Sequence, residues 1–210
     1  MDAAPPLLEL EGLACRRGRR LLFRDLAARV GAGELLRVSG ANGAGKTSLL
    51  RMICGLSAPS AGRVLWRGTP LAPQREALHR QLVYLGHAAA LKDELSAQEN
   101  LHVACRLAGQ PCDQAQARGA LAQAGLAGRE ALPARVLSQG QRRRAVLARL
   151  ALSSAALWVL DEPFNALDAA AVGWLLGLVE AQLQRGGLVV LTSHQPVGLS
   201  KAVREHRLEL

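Results

Sequence analysis

The chain has 210 residues, half of them hydrophobic, and 26 Lys and Arg against 17 Asp and Glu give it a formal net charge of +9. That length suits one domain, or one domain with a built-in subdomain, and a core of substantial size. The most apolar stretch, 145–160, carries Arg149 and is too short to span a bilayer, which argues against a membrane-spanning helix.

The opening Met1–Pro6 lacks the basic and apolar segments of a secretory signal, so the protein is expected to fold in the cytosol. Cys15, Cys54, Cys105 and Cys112 follow neither metal-ligand spacing nor a disulfide framework, and reduced thiols are expected. The positive charge is almost wholly arginine, densest at Arg16-Arg17 with Arg19-Arg20 and at Arg142-Arg143-Arg144. Such charge suits nucleic acid, anionic lipid or nucleotide, and equally a solvated face. Aromatic residues make up 3% of the chain, too few for a surface that stacks single-stranded bases.

In chain order, Leu7–Leu13 alternates as a strand and Leu21–Leu26 returns as its hairpin partner. Gly31-Ala32-Gly33 turns into a strand at Leu35–Val38, and a helix is expected over Lys46–Cys54. Arg63–Trp66 and Leu82–Leu85 read as further short strands. From Ser96 to about Gly128 the period becomes helical: Ser96 and Glu99 have capping-box spacing, and two helices flank Gly109-Gln110-Pro111. Another helix is expected over 140–152. Leu157–Leu160 and Leu188–Leu191 are continuously apolar, as buried parallel strands are, and a helix over 168–185 connects them. The alternation indicates an α/β fold with a helical insertion between Tyr84 and Ser138.

Gly40-Ala41-Asn42-Gly43-Ala44-Gly45-Lys46-Thr47 fits G-x-x-x-x-G-K-[ST] between an expected strand and an expected helix. The loop amides would cradle phosphates, Lys46 would reach the β- and γ-phosphates, and Thr47 would hold Mg²⁺. Ser48 is grouped with these nucleotide-binding residues. The helix that starts at Lys46 turns its positive end toward the same anion. Asp161-Glu162 closes the strand at Leu157–Leu160: Asp161 is expected to bind Mg²⁺ and Glu162 to polarise the water that attacks the γ-phosphate.

Leu137-Ser138-Gln139-Gly140-Gln141 resembles the LSGGQ signature of ATP-binding cassette (ABC) ATPases, with Gln139 in place of the first glycine. On chemistry alone Ser138 is a helix N-cap or part of an anion site. Pro163–Asp168 is similar to that family's D-loop, and Thr192-Ser193-His194 to its switch-histidine segment. With the phosphate loop and Asp161-Glu162 these form five elements in the family's order, and the chain is identified as a member of the ABC ATPases from about Leu7 to His194. The resemblance implies an ABC-type P-loop core over 1–210, with an antiparallel β subdomain and a helical subdomain at 87–137. It implies ATP and Mg²⁺ as cofactors, catalytic roles for Lys46, Glu162, His87 and His194, and nucleotide contacts from Ser138, Gln139, Gly140, Gln141 and Asp168. It also implies a head-to-tail homodimer in which Ser138 and Gly140 complete the partner's site.

The adenine-stacking aromatic of the family is replaced by Arg17, whose guanidinium either stacks on adenine or faces solvent. His87 stands where the family carries its Q-loop glutamine; otherwise it caps the strand ending at Leu85. These departures, with Val64–Gly68, Ala124–Gly128, Ala156–Trp158 and His194-Gln195-Pro196, resemble one subfamily. It comprises the ATP-binding subunits of bacterial cytochrome c biogenesis systems, the heme exporter or CcmA family. The resemblance implies a peripheral protein on the cytoplasmic face of the inner membrane, partnered by integral membrane subunits. Its hydrolysis would drive heme export or heme release from a periplasmic chaperone. The alternatives are the same ATPase serving another exporter, and an ABC protein of nucleic acid or ribosomes. The short interval between Lys46 and Ser138 disfavours the latter, and no nucleic-acid partner is expected.

Overall fold

A computed structural model of the chain describes residues 6–193, 196–200 and 202–210. The first half holds strands β1 (Leu8–Arg17), β2 (Arg20–Val30) and β3 (Leu35–Ser39), helix α1 (Lys46–Ile53), then β4 (Ala61–Trp66) and β5 (Thr69–Pro70). Helix α2 (Arg75–His79) and β6 (Leu82–Leu85) lead to helices α3 (Ala97–Leu107), α4 (Gln114–Leu121) and α5 (Gln139–Ala151). Strand β7 (Leu157–Leu160), helix α6 (Ala169–Gln184), β8 (Leu188–Thr192) and β9 (Glu205–Glu209) complete the order.

These elements divide into two compact units. One comprises the residues up to Tyr84 with Ala155–Glu162 and those from Glu180 on; the other comprises Leu85–Ser154 with Pro163–Val179. The first unit contains both sheets. An antiparallel sheet of order β2-β1-β4-β5 is built on the expected hairpin, whose register runs from Leu8 opposite Val30 to Arg17 opposite Arg20. The second sheet has the order β6-β7-β8-β3-β9, with β7 parallel to β8 and β3 parallel to both β8 and β9. Strands β7 and β8 are buried at every position, as their unbroken apolar runs require. Leu49, Leu50 and Ile53 of α1 pack with Leu36, Val38, Val159 and Val190 and with Leu8, Leu10 and Leu13 of β1 in one apolar core.

The second unit has its own core, built from Leu101 and Cys105 of α3, Leu121 of α4, Leu126, and Ala145 and Ala148 of α5. Its three helices α3, α4 and α5 each begin with a reciprocal capping box. The pairs are Ser96 with Glu99, Asp113 with Gln116, and Ser138 with Gln141. Each box satisfies two donors that a helix start otherwise leaves orphaned. The Asn100 side chain ties down the segment ahead of α3. Its Oδ1 accepts from the Lys92 amide at 2.7 Å, and its Nδ2 donates to the carbonyls of Lys92, Leu95 and Ser96 at 3.0, 3.1 and 2.9 Å.

Two elements carry no readable period. Helix α2 has only five residues. Strand β9 reads Glu-His-Arg-Leu-Glu, and charge pairs reinforce its ladder with β3 and the packing of Leu208 on the core. Buried Arg37 of β3 donates to Glu205 at 2.5 Å. Glu34 accepts from the Gly31 amide at 2.6 Å, from His206 Nε2 at 2.7 Å and from Arg204 at 3.1 Å. Burial raises the affinity of Glu34 for a proton, but the Gly31 and His206 hydrogen bonds and the nearby charges outweigh it and leave the carboxyl below its ordinary value.

All four cysteines are free and buried. Burial pushes the Cys54 thiol up to about 12; the Cys105 thiol also rises to about 12 through burial and its hydrogen bond with Cys112. Both stay protonated at neutral pH. Among the described residues no helix is long and apolar enough to cross a membrane.

Two measurements test these ties. Asn100→Ala deletes four hydrogen bonds and strands buried backbone groups, so unfolding free energy should fall by about 2–4 kcal/mol in urea titration. A carboxyl lowered in the folded state adds stability above its unfolded value, about 4.3, and loses it as pH falls through the folded value. Glu34→Gln should therefore flatten the loss of stability below about pH 4.5, read as Tm against pH.

Candidate nucleotide-binding site

The phosphate loop leaves the C-terminal end of β3, which lies between β8 and β9, at the strand ends where α/β sheets commonly place ligands. Its glycines adopt backbone angles that other residues rarely take: φ is 139° at Gly40, 80° at Gly43 and 114° at Gly45. At Gly45 a Cβ would also meet the Phe23 ring at 3.0 Å, so the β1–β2 hairpin packs directly against the loop. Ala41 and Asn42 are exposed, Ala44 and Ser48 half-buried, and α1 begins at Lys46. Buried Lys46 curls back over the loop, its Nζ donating to the carbonyls of Gly40 at 2.7 Å and Ala41 at 3.3 Å.

Asp161 follows β7 and is 2% exposed. Thr47 Oγ1 donates to its Oδ2 at 2.7 Å, and Thr192 Oγ1, at the end of β8, donates to its Oδ1 at 2.8 Å. The Glu162 amide in turn donates to Thr192 Oγ1 at 2.7 Å. Glu162 has a φ of 46°, a strained left-handed conformation for a side chain of its size, of a kind that gathers at working sites. The Thr47 hydroxyl and the Asp161 carboxylate are a hard-oxygen pair at the edge of the loop and suit Mg²⁺. That ion commonly takes one or two carboxylates and completes its shell from phosphates and water.

An open cleft of about 370 Å³ runs along this loop, with Lys46, Thr47 and Ser48 at one side and Glu162 and Arg17 among its walls. Arg17 thus faces the same space as the phosphate loop. Arg20, expected only as part of a basic cluster, and Leu22, expected only as part of a strand, line it too. Their signal was available: Arg20 is the cross-strand partner of Arg17. Thr192 was read only as part of a histidine segment, yet it closes the chain of hydrogen bonds between Asp161 and Glu162. His194 lies outside the described residues.

The remaining expected site residues lie in the second unit. Ser138, exposed at the start of α5, accepts from the Gln141 amide at 3.3 Å, while Gln141 Oε1 accepts from the Ser138 amide at 2.9 Å. Gln139 is exposed in the first turn. A Cβ on Gly140 would stand 2.7 Å from the Ala166 carbonyl oxygen, so only glycine lets α5 approach that segment. Asp168 caps α6 by accepting from the Ala171 amide at 2.8 Å, and Arg144 stands 3.8 Å from its other oxygen. His87 is exposed, and its carbonyl accepts from Arg143 at 3.3 Å.

The ABC transporter family model matches residues 23–165 of the chain. Among curated relatives, the cytochrome c biogenesis ATP-binding export protein CcmA of Aromatoleum aromaticum is 54% identical, across 93% of this chain and 92% of its own. The protein of the same description from Dechloromonas aromatica is 50% identical, across 96% of this chain and all of its own. A solved ATP-binding subunit of an ABC transporter is 28% identical, with a TM-score of 0.78 over 90% of this chain and 79% of its own. A dimeric ATP-binding cassette in a post-hydrolysis state with ADP and phosphate shares the fold, with 21% identity and a TM-score of 0.78 over 90% of this chain and 88% of its own.

The close approach at Gly140 is directly testable. Gly140→Ala should cost about 1–3 kcal/mol of stability through overpacking against Ala166, measured by urea denaturation. The exposed neighbour Gln139→Ala should change it by less than about 0.5 kcal/mol. The chain is an ATP-hydrolysing protein that belongs to the ABC transporter family, and within it to the CcmA family of cytochrome c biogenesis ATP-binding export proteins.

Proposed function

We propose that this chain is the ATPase subunit of a membrane ABC complex in c-type cytochrome biogenesis, bound to the cytoplasmic face of the bacterial inner membrane. There it powers heme export, or release of heme from a periplasmic heme chaperone. Identity near one half with CcmA proteins, over almost the whole length of both chains, carries this reading. Integral membrane subunits of the same complex are its partners.

The proposed division of labour follows from the side chains. The loop amides and Lys46 bind the β- and γ-phosphates, with Lys46 exchanging its carbonyl partners at Gly40 and Ala41 for phosphate oxygens. Arg17 stacks its guanidinium on adenine. Mg²⁺ held by Thr47 and Asp161 would neutralise charge on the β- and γ-phosphates. Glu162 orients and deprotonates the attacking water, His194 stabilises the charge that develops on the γ-phosphate, and His87 reports the γ-phosphate to the helical unit. A head-to-tail homodimer completes each site: Ser138, Gln139, Gly140 and Gln141 of one subunit meet nucleotide on the other, and Asp168 lies in the same segment of that face.

Glu162→Gln keeps every binding group and removes the base. It should lower turnover by about 10²–10⁴-fold and trap an ATP-bound dimer visible by gel filtration with ATP and Mg²⁺. A monomer with full turnover would sink the assignment. Lys46→Ala should instead weaken ATP binding, and in cells it should abolish holocytochrome c. Normal holocytochrome c in that strain, with the protein co-purifying with a different exporter, would identify the competing role.

A further inference from the structure

Arg143 lies on α5, five residues after Ser138, and is only 5% exposed although it is an arginine. Its Nη1 donates to two consecutive main-chain carbonyls of a distant segment, Gly86 at 3.0 Å and His87 at 3.3 Å. A guanidinium is rarely taken out of water without such partners, because burial leaves its donors costly to orphan. The Gly86–His87 backbone belongs to neither helix nor strand, so this contact is a fixed point for it. The neighbouring Arg142 reaches Asp93 at 2.6 Å and the Ala134 carbonyl at 3.0 Å, a more solvent-exposed pairing some six residues further along the same segment.

We propose that Arg143 is a positioning residue: it clamps the Gly86–His87 main chain to the helix that begins at Ser138, so that the His87 side chain and the Ser138 end of α5 move as one piece. Arg143 touches no nucleotide in this scheme. It holds the backbone from which His87 projects, and through the rigid first turns of α5 it sets the angle of the Ser138 face. A change at His87 then reaches Ser138 without passing through the rest of the unit. The inference rests on the reading of His87 as the γ-phosphate-sensing residue.

The test is a double-mutant cycle in steady-state ATPase assays on the full chain, with amide hydrogen exchange on the same proteins. Arg143→Ala should lower kcat by about 10–100-fold through misplacement of His87 while the KM for ATP changes less than about twofold. In the His87→Ala background the same change should cost less than about twofold more, because no imidazole is left to place. Exchange should rise over 85–89, and Arg143→Lys, which keeps a cationic donor, should recover part of kcat. Arg142→Ala removes the same charge one residue away and should stay within about twofold of the parent. If the Arg143 and His87 effects simply multiply, or if Arg142→Ala loses as much as Arg143→Ala, the clamp is wrong although His87 still matters. If His87→Ala hydrolyses ATP normally, the reading of His87 fails. Arg143→Ala must then still raise exchange over 85–89 for the clamp itself to survive, and unchanged exchange overturns it. Should Arg143→Ala not fold, Arg143→Gln carries the same cycle.

Discussion

Asp161 is a carboxylate withdrawn almost completely from water, and such a group persists only where its oxygens are answered by donors. Here two hydroxyls answer them from opposite sides, Thr47 from the first turn of α1 and Thr192 from the end of β8. The order of the parallel strands makes this possible. With β8 between β7 and β3, the loop after β3, the acid after β7 and the threonine ending β8 all emerge at one edge of the sheet. Much of the site follows from that convergence. The strained Glu162 is anchored through Thr192, and the phosphate loop is anchored through Thr47. A shift in strand register would separate all of these groups at once.

The second unit solves a different problem. Its helices are short, and short helices need their ends satisfied because packing alone orders too few residues. Reciprocal capping boxes start three of them, and Asn100 and the arginines of α5 tie down the irregular chain between β6 and α3. The result is a unit whose loops are fixed by directed hydrogen bonds, while its apolar core is rich in alanine and therefore thin. Directional bonds also define geometry more sharply than apolar contact does, which suits residues whose spacing has to be held.

The parts of this architecture that were legible in the sequence share a physical property: their signal is local. The glycine pattern of the phosphate loop, the unbroken apolar runs of β7 and β8 and the Ser96–Glu99 box all announce themselves within a few residues. Strand β9 does not, because it forms only by pairing with distant β3 and through ion pairs with Arg37 of that strand and Glu34 just before it. The bond from Arg143 to Gly86 spans 57 positions and was equally invisible, since an arginine in a basic run reads as solvated. Thr192 and Arg20 fall between the two cases: each stands in a readable segment, but its role depends on a partner across the sheet or hairpin. Of the two helices expected to flank Gly109-Gln110-Pro111 in a helical period reaching about Gly128, the second is Gln114–Leu121, and it continues as a wider turn over Ala122–Leu126, inside which Gly125 has a φ of 75°. Gly125 ends that helix inside a stretch whose period still looks helical.

The charged character of β9 has a consequence for the protein in solution. A strand at the margin of a sheet exposes one row of amides and carbonyls, and such a row invites another chain to add itself. In β9 the residues Glu205, Arg207 and Glu209 place ionic side chains on one face of the margin, with polar His206 on the other, and β2, at the margin of the antiparallel sheet, carries Arg20, Arg24, Asp25 and Arg29. An incoming strand would have to strip water from these groups. Both margins therefore discourage intermolecular β-pairing, a safeguard that matters most for chains produced in excess, when they are crowded against copies of themselves.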